Sequence, residues 1–85
     1  MAEEEIGKVV HYFGRIGVAA IQVTHGSLKV GDTIRVKGQT TDFTQKVESM
    51  QIDNKPVEEA TVGQNVGIKV SGHARSHDAV YKVTP

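Results

Sequence analysis

The chain lacks the residues that reinforce small proteins by means other than a hydrophobic core. Its 85 residues include no cysteine and no tryptophan, two prolines, two phenylalanines and two tyrosines. The lack of cysteine excludes disulfide bonds and thiolate metal sites, and it suits a reducing compartment. No apolar run approaches the roughly 18 residues of a membrane-spanning helix. Residues 1–5 are acidic where a secretory signal would be basic, so we expect a cytoplasmic protein.

The chain also lacks an excess of charge of either sign. Ten basic and ten acidic residues give a formal net charge of zero, but their distribution is uneven. Residues 6–41 carry five basic groups and one acidic group, residues 42–85 carry five and six, and Glu3 to Glu5 add three acidic groups. The mildly basic first half is compatible with a phosphate-bearing partner. From charge alone, ordinary scatter over a solvated surface is the favoured explanation.

Turn residues recur about every 8 to 12 positions, which is typical of an all-β barrel or sandwich. No window of about 11 residues sustains a helical period, so we expect negligible helix. Residues 1–5 form an acidic N-terminal tail in this interpretation, and residues 6–85 form a single β-barrel domain. The predicted strands run from about Ile6 to Phe13, Ile16 to Thr24, Thr33 to Lys37, Asp42 to Asp53, Lys55 to Glu58, Asn65 to Val70 and Ala79 to Val83.

Several connections between these strands can be predicted in detail. Gly14-Arg15 suits a two-residue type II′ hairpin loop, because that turn places glycine at its first central position. The alternation of apolar residues breaks near Glu48-Ser49, which indicates a bulge or bend within one long strand. Asp53-Asn54 predicts a turn, and Gly63 predicts a positive φ. Pro56 predicts an edge or turn position, since proline cannot donate to a central ladder.

Three blocks of sequence resemble domain 2 of the translational GTPases of the elongation factor Tu type. They are Phe13-Gly14-Arg15-Ile16-Gly17, the stretch from Gly26 to Ile34 (GSLKVGDTI) and the stretch from Ala60 to Ile68 (ATVGQNVGI). Their joint order and spacing span nearly the whole chain. The resemblance implies a closed or nearly closed, six-stranded antiparallel Greek-key β-barrel.

Two further stretches, from His11 to Ala19 and from Thr40 to Gln45, resemble a narrower group of proteins. These are short stand-alone translation elongation factor-like proteins and the C-terminal barrel of the collagenase-like peptidase family. Some members of that family act in tRNA hydroxylation, so the resemblance implies a setting in translation or tRNA metabolism. Gln51 and Asn54 align where elongation factor Tu holds the aminoacylated tRNA end with a Glu and an Arg, which argues against tight recognition of that end.

No pattern in the sequence predicts catalysis. A phosphate-binding Gly-x-x-x-x-Gly-Lys-Ser/Thr loop is absent from the sequence, so we expect no nucleotide hydrolysis. His73 and His77 are the best metal ligands by spacing, but they lie in a polar loop with no third ligand to complete a site. The adjacent carboxylates Glu58 and Glu59 would point apart on a strand. We therefore expect a protein that is not an enzyme and holds no metal and no cofactor.

Two functions remain open from the sequence. The first is a binding module that contacts RNA, with tRNA as the implied target. The second is an accessory domain that docks on a separate enzyme, such as a tRNA-modifying peptidase-like protein. Aromatic side chains can stack on bases while lysine and arginine neutralise phosphates. The residues predicted to contact RNA are Lys8, His11, Phe13, Arg15, Arg35 and Lys37.

Overall fold

A computed structural model describes residues 2–84 of the protein, which form an all-β fold. No helix is present in this part of the chain, and therefore none that could cross a membrane. The ten strands are β1 (Ala2–Phe13), β2 (Val18–Val23), β3 (Ser27–Lys29), β4 (Thr33–Lys37), β5 (Asp42–Lys46), β6 (Met50–Ile52), β7 (Lys55–Val57), β8 (Glu59–Thr61), β9 (Asn65–Lys69) and β10 (Ala79–Thr84).

Eight of the strands form one antiparallel sheet in the order β5-β4-β10-β1-β2-β9-β6-β7, and β3 pairs with β8 in a small second sheet. The predicted all-β antiparallel architecture is confirmed. The expectation of a closed or nearly closed six-stranded barrel is wrong on closure, because β5 and β7 remain the two edges of the large sheet. Pro56 lies in β7, the edge strand, as its missing N–H predicts.

The acidic residues Glu3 to Glu5, set apart as a tail by their composition, lie in β1. They pair with β10 from Glu3 opposite Val83 to Glu5 opposite Tyr81. The same ladder begins with Ala2 opposite Thr84, so the two ends of the described chain lie side by side.

The single long strand predicted between Asp42 and Asp53 is two strands in the structure. β5 pairs with β4 at one edge of the large sheet, whereas β6 pairs with β7 and β9 at the opposite edge. Residues 47–49 separate them, where the sequence predicts a bend. Val47 is buried there, and its N–H donates to the Asp32 carbonyl at 2.8 Å while its carbonyl accepts from the Gly31 N–H at 2.8 Å. These bonds join Val47 to the turn before β4, and the chain then continues to β6.

A side chain joins the sheet where its backbone does not close. Gln45 of β5 donates from Nε2 to the Lys69 carbonyl of β9 at 2.9 Å. Its Oε1 accepts from the Ser71 N–H at 2.7 Å and from the Ser71 hydroxyl at 3.1 Å. We call this place, defined by Gln45, Lys69 and Ser71, the β5–β9 gap. The side chain of one glutamine thus links β5 to the end of β9, where no backbone ladder joins the two strands.

The β1–β2 hairpin differs from its prediction. Phe13 pairs with Val18, so the loop has four residues, 14–17, rather than two. The positive φ of 65° belongs to Gly17 and not to Gly14, and the Gly17 N–H donates to the Phe13 carbonyl at 2.9 Å. The expected type II′ turn at Gly14-Arg15 is therefore wrong, because the left-handed residue closes the loop instead of opening it.

Two other turn predictions are confirmed. Asp53 and Asn54 have φ of 53° and 64° between Ile52 and Lys55, which pair directly. Two consecutive positive φ angles are what a type I′ hairpin requires, and Asp and Asn tolerate them better than most residues do. Gly63 has a φ of 92°.

The core follows from the alternation of side chains along these strands. Most inward positions of β1, β2, β4, β9 and β10 are apolar and buried, with Lys82 of β10, opposite Ile34, as an exception. Leu28 of β3 faces Ala60 of β8 beneath the small sheet. The buried hydrophobic residues are Ile6, Val9, Ala19, Ile21, Val23, Leu28, Ile34, Val36, Val47, Met50, Ala60, Val66, Ile68, Val70, Ala74 and Val80.

Candidate functional site

A shallow groove crosses the outer face of the sheet from β1 to β6. A bulge in the β1–β2 ladder between Val9 and His11 shifts the alternation, so that His11 and Phe13 are exposed while Tyr12 packs on the core. His11, Ala20, Gly67 and Gln51 are successive cross-strand partners, which places them in one row. We call the depression beside this row the outer groove. Its volume is about 320 Å³, and it is lined by Phe13, Ile16, Val18, Ala20, Gln51, Asp53, Asn54, Asn65, Val66 and Gly67.

The outer groove has an apolar side and a polar side. Phe13 and Ile16 are exposed to 45% and 63%, which is high for such large apolar side chains. Gln51 and Asn54 line the same groove and add amide hydrogen-bonding groups. An apolar surface with a polar rim is the composition of a binding site, since isolated exposed apolar residues would not share one depression.

Three of the predicted RNA-contact residues lie together at the end of β1. The rings of His11 and Phe13 meet edge to face, with centroids 4.5 Å apart. Arg15 is exposed in the following loop, and a depression of about 390 Å³ extends from His11 to Ile16. The exposed aromatic edge beside a guanidinium provides both groups needed for contact with a nucleic acid strand.

Lys8 and Lys37 form a second, separate pair. Lys8 of β1 is opposite Ala79 of β10, which is opposite Lys37 of β4. The two lysines therefore lie in one row on the exposed face, about two strand spacings or roughly 10 Å apart.

Arg35 stands apart from the other predicted residues because its guanidinium is already paired. Its Nε and Nη2 donate to the two carboxylate oxygens of Asp42, each at 2.8 Å. Its Nη1 donates to both carboxylate oxygens of Glu3, at 3.1 and 3.2 Å. Hydrogen bonding from Arg35 lowers the pKa of Asp42, and the two carboxylates raise the pKa of Arg35. A phosphate would have to compete with two carboxylates for this arginine.

The two histidines that were the best metal-ligand candidates by spacing make different contacts. The ring of His73 packs against Tyr12 with centroids 4.6 Å apart. His77 has a φ of 75°, and its N–H donates to the Val9 carbonyl at 2.7 Å. Within residues 2–84, no three His, Asp or Glu side chains group closely enough to hold a metal ion. The loop histidines serve packing and turn geometry in this structure.

The polar surroundings of the β5–β9 gap could not be found from the sequence. Lys46 and Lys69 both line the groove there, together with Ser49 and Ser71. The two lysines belong to strands that are distant in the chain and are not hydrogen-bonded neighbours in the sheet. The groove that both lysines line, and the Gln45 side chain that links their strands, place them on one surface.

Comparisons with known proteins find relatives that match most of the chain. The family model of elongation factor Tu domain 2 matches residues 17–80. An uncharacterized protease of Methanocaldococcus jannaschii is 45% identical over 78 residues, which cover 91% of this chain and 19% of that protein. A collagenase of Porphyromonas gingivalis is 40% identical over 78 residues, which cover 91% of this chain and 22% of that protein. The chain thus spans about a fifth of the length of the curated relatives it matches.

Solved structures of other proteins share the fold of this chain. The C-terminal domain of a putative U32 peptidase of Geobacillus thermoleovorans superposes with a TM-score of 0.88 at 24% identity, covering 95% of this chain and 93% of that chain. The GDP-bound aIF5B of Aeropyrum pernix matches with a TM-score of 0.68 at 18% identity, covering 98% of this chain and 14% of that chain. One fold thus occurs both in a separately crystallised peptidase domain and within a much longer chain.

Proposed function

This chain belongs to the elongation factor Tu domain 2 family, and we propose that it is a non-catalytic accessory module that docks on a peptidase-type enzyme. The sequence resemblances to elongation factor Tu domain 2 and to the C-terminal barrel of collagenase-like peptidases are confirmed. The occupant of the docking surface is the remainder of a U32-type enzyme, in the same or in a separate chain. Support comes from the relatives, in which the matching segment is about a fifth of the protein.

The outer groove is the observation that carries this proposal. Phe13 and Ile16 form an exposed apolar anchor, and the amides of Gln51 and Asn54 lie on the polar side of the same groove. Protein interfaces concentrate their binding energy in such apolar and aromatic centres surrounded by polar groups. Within residues 2–84 no acid, base and nucleophile are arranged for catalysis, so the activity of any larger assembly would belong to the partner.

Substitution at the apolar side of the groove tests the docking function. We expect the double variant Phe13→Ser and Ile16→Ser to weaken binding to a U32-type peptidase by about thirtyfold or more, because the loss of even one anchor residue costs about 2 kcal/mol or more. The measurement is retention of one enzyme in stoichiometric amount from nuclease-treated lysate, followed by calorimetric titration with that enzyme.

Val62→Ser is the matched control, since Val62 is 58% exposed but does not line the outer groove. It should leave the affinity unchanged. Recovery of no enzyme by the wild-type domain, or equal losses in the control and the double variant, would rule out docking through this groove.

Contact with RNA is the second candidate function, and the ring pair at the end of β1 supports it. His11 and Phe13 expose an aromatic edge beside Arg15, while Lys8 and Lys37 add cationic groups further along the face. The placement of Arg35 between two carboxylates removes it from the favoured set. Translation or tRNA metabolism, and with it a cytoplasmic location, remains the setting that this function would imply.

Arg15→Ala tests this second function. Because Arg15 would neutralise about one phosphate, we expect a loss of affinity for tRNA or single-stranded RNA of about threefold to tenfold at low salt. Filter binding at several salt concentrations measures it. Wild-type protein that binds no RNA at low ionic strength would exclude the function.

A further inference from the structure

The β5–β9 gap opens into a groove that is distinct from the outer groove in both place and character. Its volume is about 390 Å³, and its only apolar lining residue is Val70, which is 7% exposed. The complete lining consists of Gln45, Lys46, Glu48, Ser49, Lys69, Val70 and Ser71. None of these residues lines the outer groove, so the two surfaces can be altered independently.

Gln45 brings the two lysines of the gap together. Its Nε2 lies 2.9 Å from the Lys69 carbonyl oxygen and 3.5 Å from the Lys46 carbonyl oxygen. The main chains of two cationic residues are thereby held against one amide group. Both lysines are exposed, and each ammonium group is joined to this fixed point by its own flexible side chain.

The two lysines at the gap, Lys46 and Lys69, form no ion pair within residues 2–84. The ion pairs formed among residues 2–84 use Lys29, Arg35 and Lys82 as their cations. Lys46 and Lys69 therefore have no carboxylate within 4.0 Å in the described part of the chain, although Glu48 lines the same groove. Counting these three groups, two positive and one negative, the groove carries a formal charge of +1.

We infer that the groove at the β5–β9 gap binds a backbone phosphodiester of single-stranded RNA, held by Lys46 and Lys69. This inference rests on RNA contact, the second candidate function, and assigns it a site. A charge of +1 matches one phosphodiester, and ammonium and hydroxyl groups are common donors to phosphate oxygens. A protein partner fits less well, because the lining offers no exposed aromatic or large apolar anchor.

The inference predicts a specific loss of RNA affinity in the double variant Lys46→Gln and Lys69→Gln. Fluorescence anisotropy with a labelled single-stranded RNA of about 12 nucleotides measures the affinity at salt concentrations from about 50 to 200 mM. We expect at least about fivefold weaker binding at the lowest salt. The slope of log K against log salt should become shallower by about 0.7, since the loss of one phosphate contact on a single strand changes it by about that amount.

The matched control removes the same charge elsewhere. Lys55→Gln with Arg75→Gln replaces two exposed cations that form no ion pair within residues 2–84 and lie outside both grooves. Its affinity should stay within about twofold of the wild type. A nitrogen–proton correlation spectrum adds a direct readout, in which the Ser71 amide and the Gln45 side-chain amide shift on RNA addition.

Three outcomes would overturn the inference. An equal loss in the control and the gap variant would show diffuse attraction without a site. Loss of RNA binding in Arg15→Ala but not in the gap variant would leave the RNA function standing and place it at the end of β1. Wild-type protein that binds no RNA at the lowest salt would exclude the function and its site together.

Discussion

The side chain of Arg35 connects more of the sheet than any local pair could. Arg35 lies on β4, Asp42 on the neighbouring strand β5, and Glu3 on β1, with β10 between β1 and β4. One guanidinium thus joins residues from three strands of one sheet face. The positive first half of the sequence loses part of its significance, because two of its five basic groups, Lys29 and Arg35, are paired with carboxylates.

The free energy of unfolding should depend on pH through the protonation of Asp42. Arg35 lowers the Asp42 pKa in the folded state below its ordinary value of 3.8, by hydrogen bonding and by charge. The stabilisation is therefore complete above pH 3.8 and is lost as the pH falls through the lower, folded-state pKa. Asp42→Asn should be less stable than the wild type at neutral pH, and the difference should shrink in acid. Urea unfolding across this pH range measures it.

Asp53→Asn is the control for that comparison. Asp53 is exposed and takes part in no ion pair within residues 2–84, and asparagine tolerates its positive φ. A pH-independent difference between Asp42→Asn and the wild type would show that the ion pair does not stabilise the fold.

Among the elements, β5 is held by a ladder on one side and by a side chain on the other. Its partner on one side is β4, and on the other side Gln45 bonds to the end of β9 and to Ser71. Gly72 supports this contact, because a Cβ atom there would lie 2.5 Å from the ring of Phe43. The position of β5 therefore depends on the Gln45 amide and on the absence of a side chain at Gly72, in addition to the ladder with β4.

Removal of that amide should loosen the edge of the sheet. We expect Gln45→Ala to lower the free energy of unfolding by about 1 to 2 kcal/mol, since it deletes the partner of the Ser71 N–H and of the Lys69 carbonyl. Hydrogen exchange at Ser71 should accelerate. Denaturant titration and exchange measured by NMR test both effects.

Gln39→Ala provides the comparison, because Gln39 is exposed in the β4–β5 turn and its side chain forms no hydrogen bond in residues 2–84. Equal stability of Gln45→Ala and Gln39→Ala would show that the gap is closed by other forces.

At the scale of the whole molecule, the sequence predicts the strands and turns, because these depend on residues that are neighbours in the chain. Alternation located the strands from Thr33 to Lys37 and from Asn65 to Val70 with little error, and the turn at Asp53-Asn54 followed from residue type. The closure of the sheet could not be predicted, because it depends on which distant strands pair after the chain leaves the ladder at Val47. A resemblance to a closed barrel could not show that the side chain of Gln45 links β5 to the end of β9.

The candidate surfaces also contain residues that the sequence identifies and residues that it does not. Phe13 and Arg15 could be named from the sequence because they are adjacent to one turn, and the structure brings them together. The sequence does not associate Gln51 with them, since the outer groove forms only when β6 pairs with β9. Sites that lie across non-neighbouring strands have no local pattern to reveal them.

The pairing of Ala2 with Thr84 has a topological consequence. A peptide of only a few residues could join these ends into a ring, and the exposed turn at Gln39 and Thr40 could be opened to give new ones. The order of the strands along the chain can therefore be changed without changing their order in the sheet. A circularly permuted version would present both grooves unchanged.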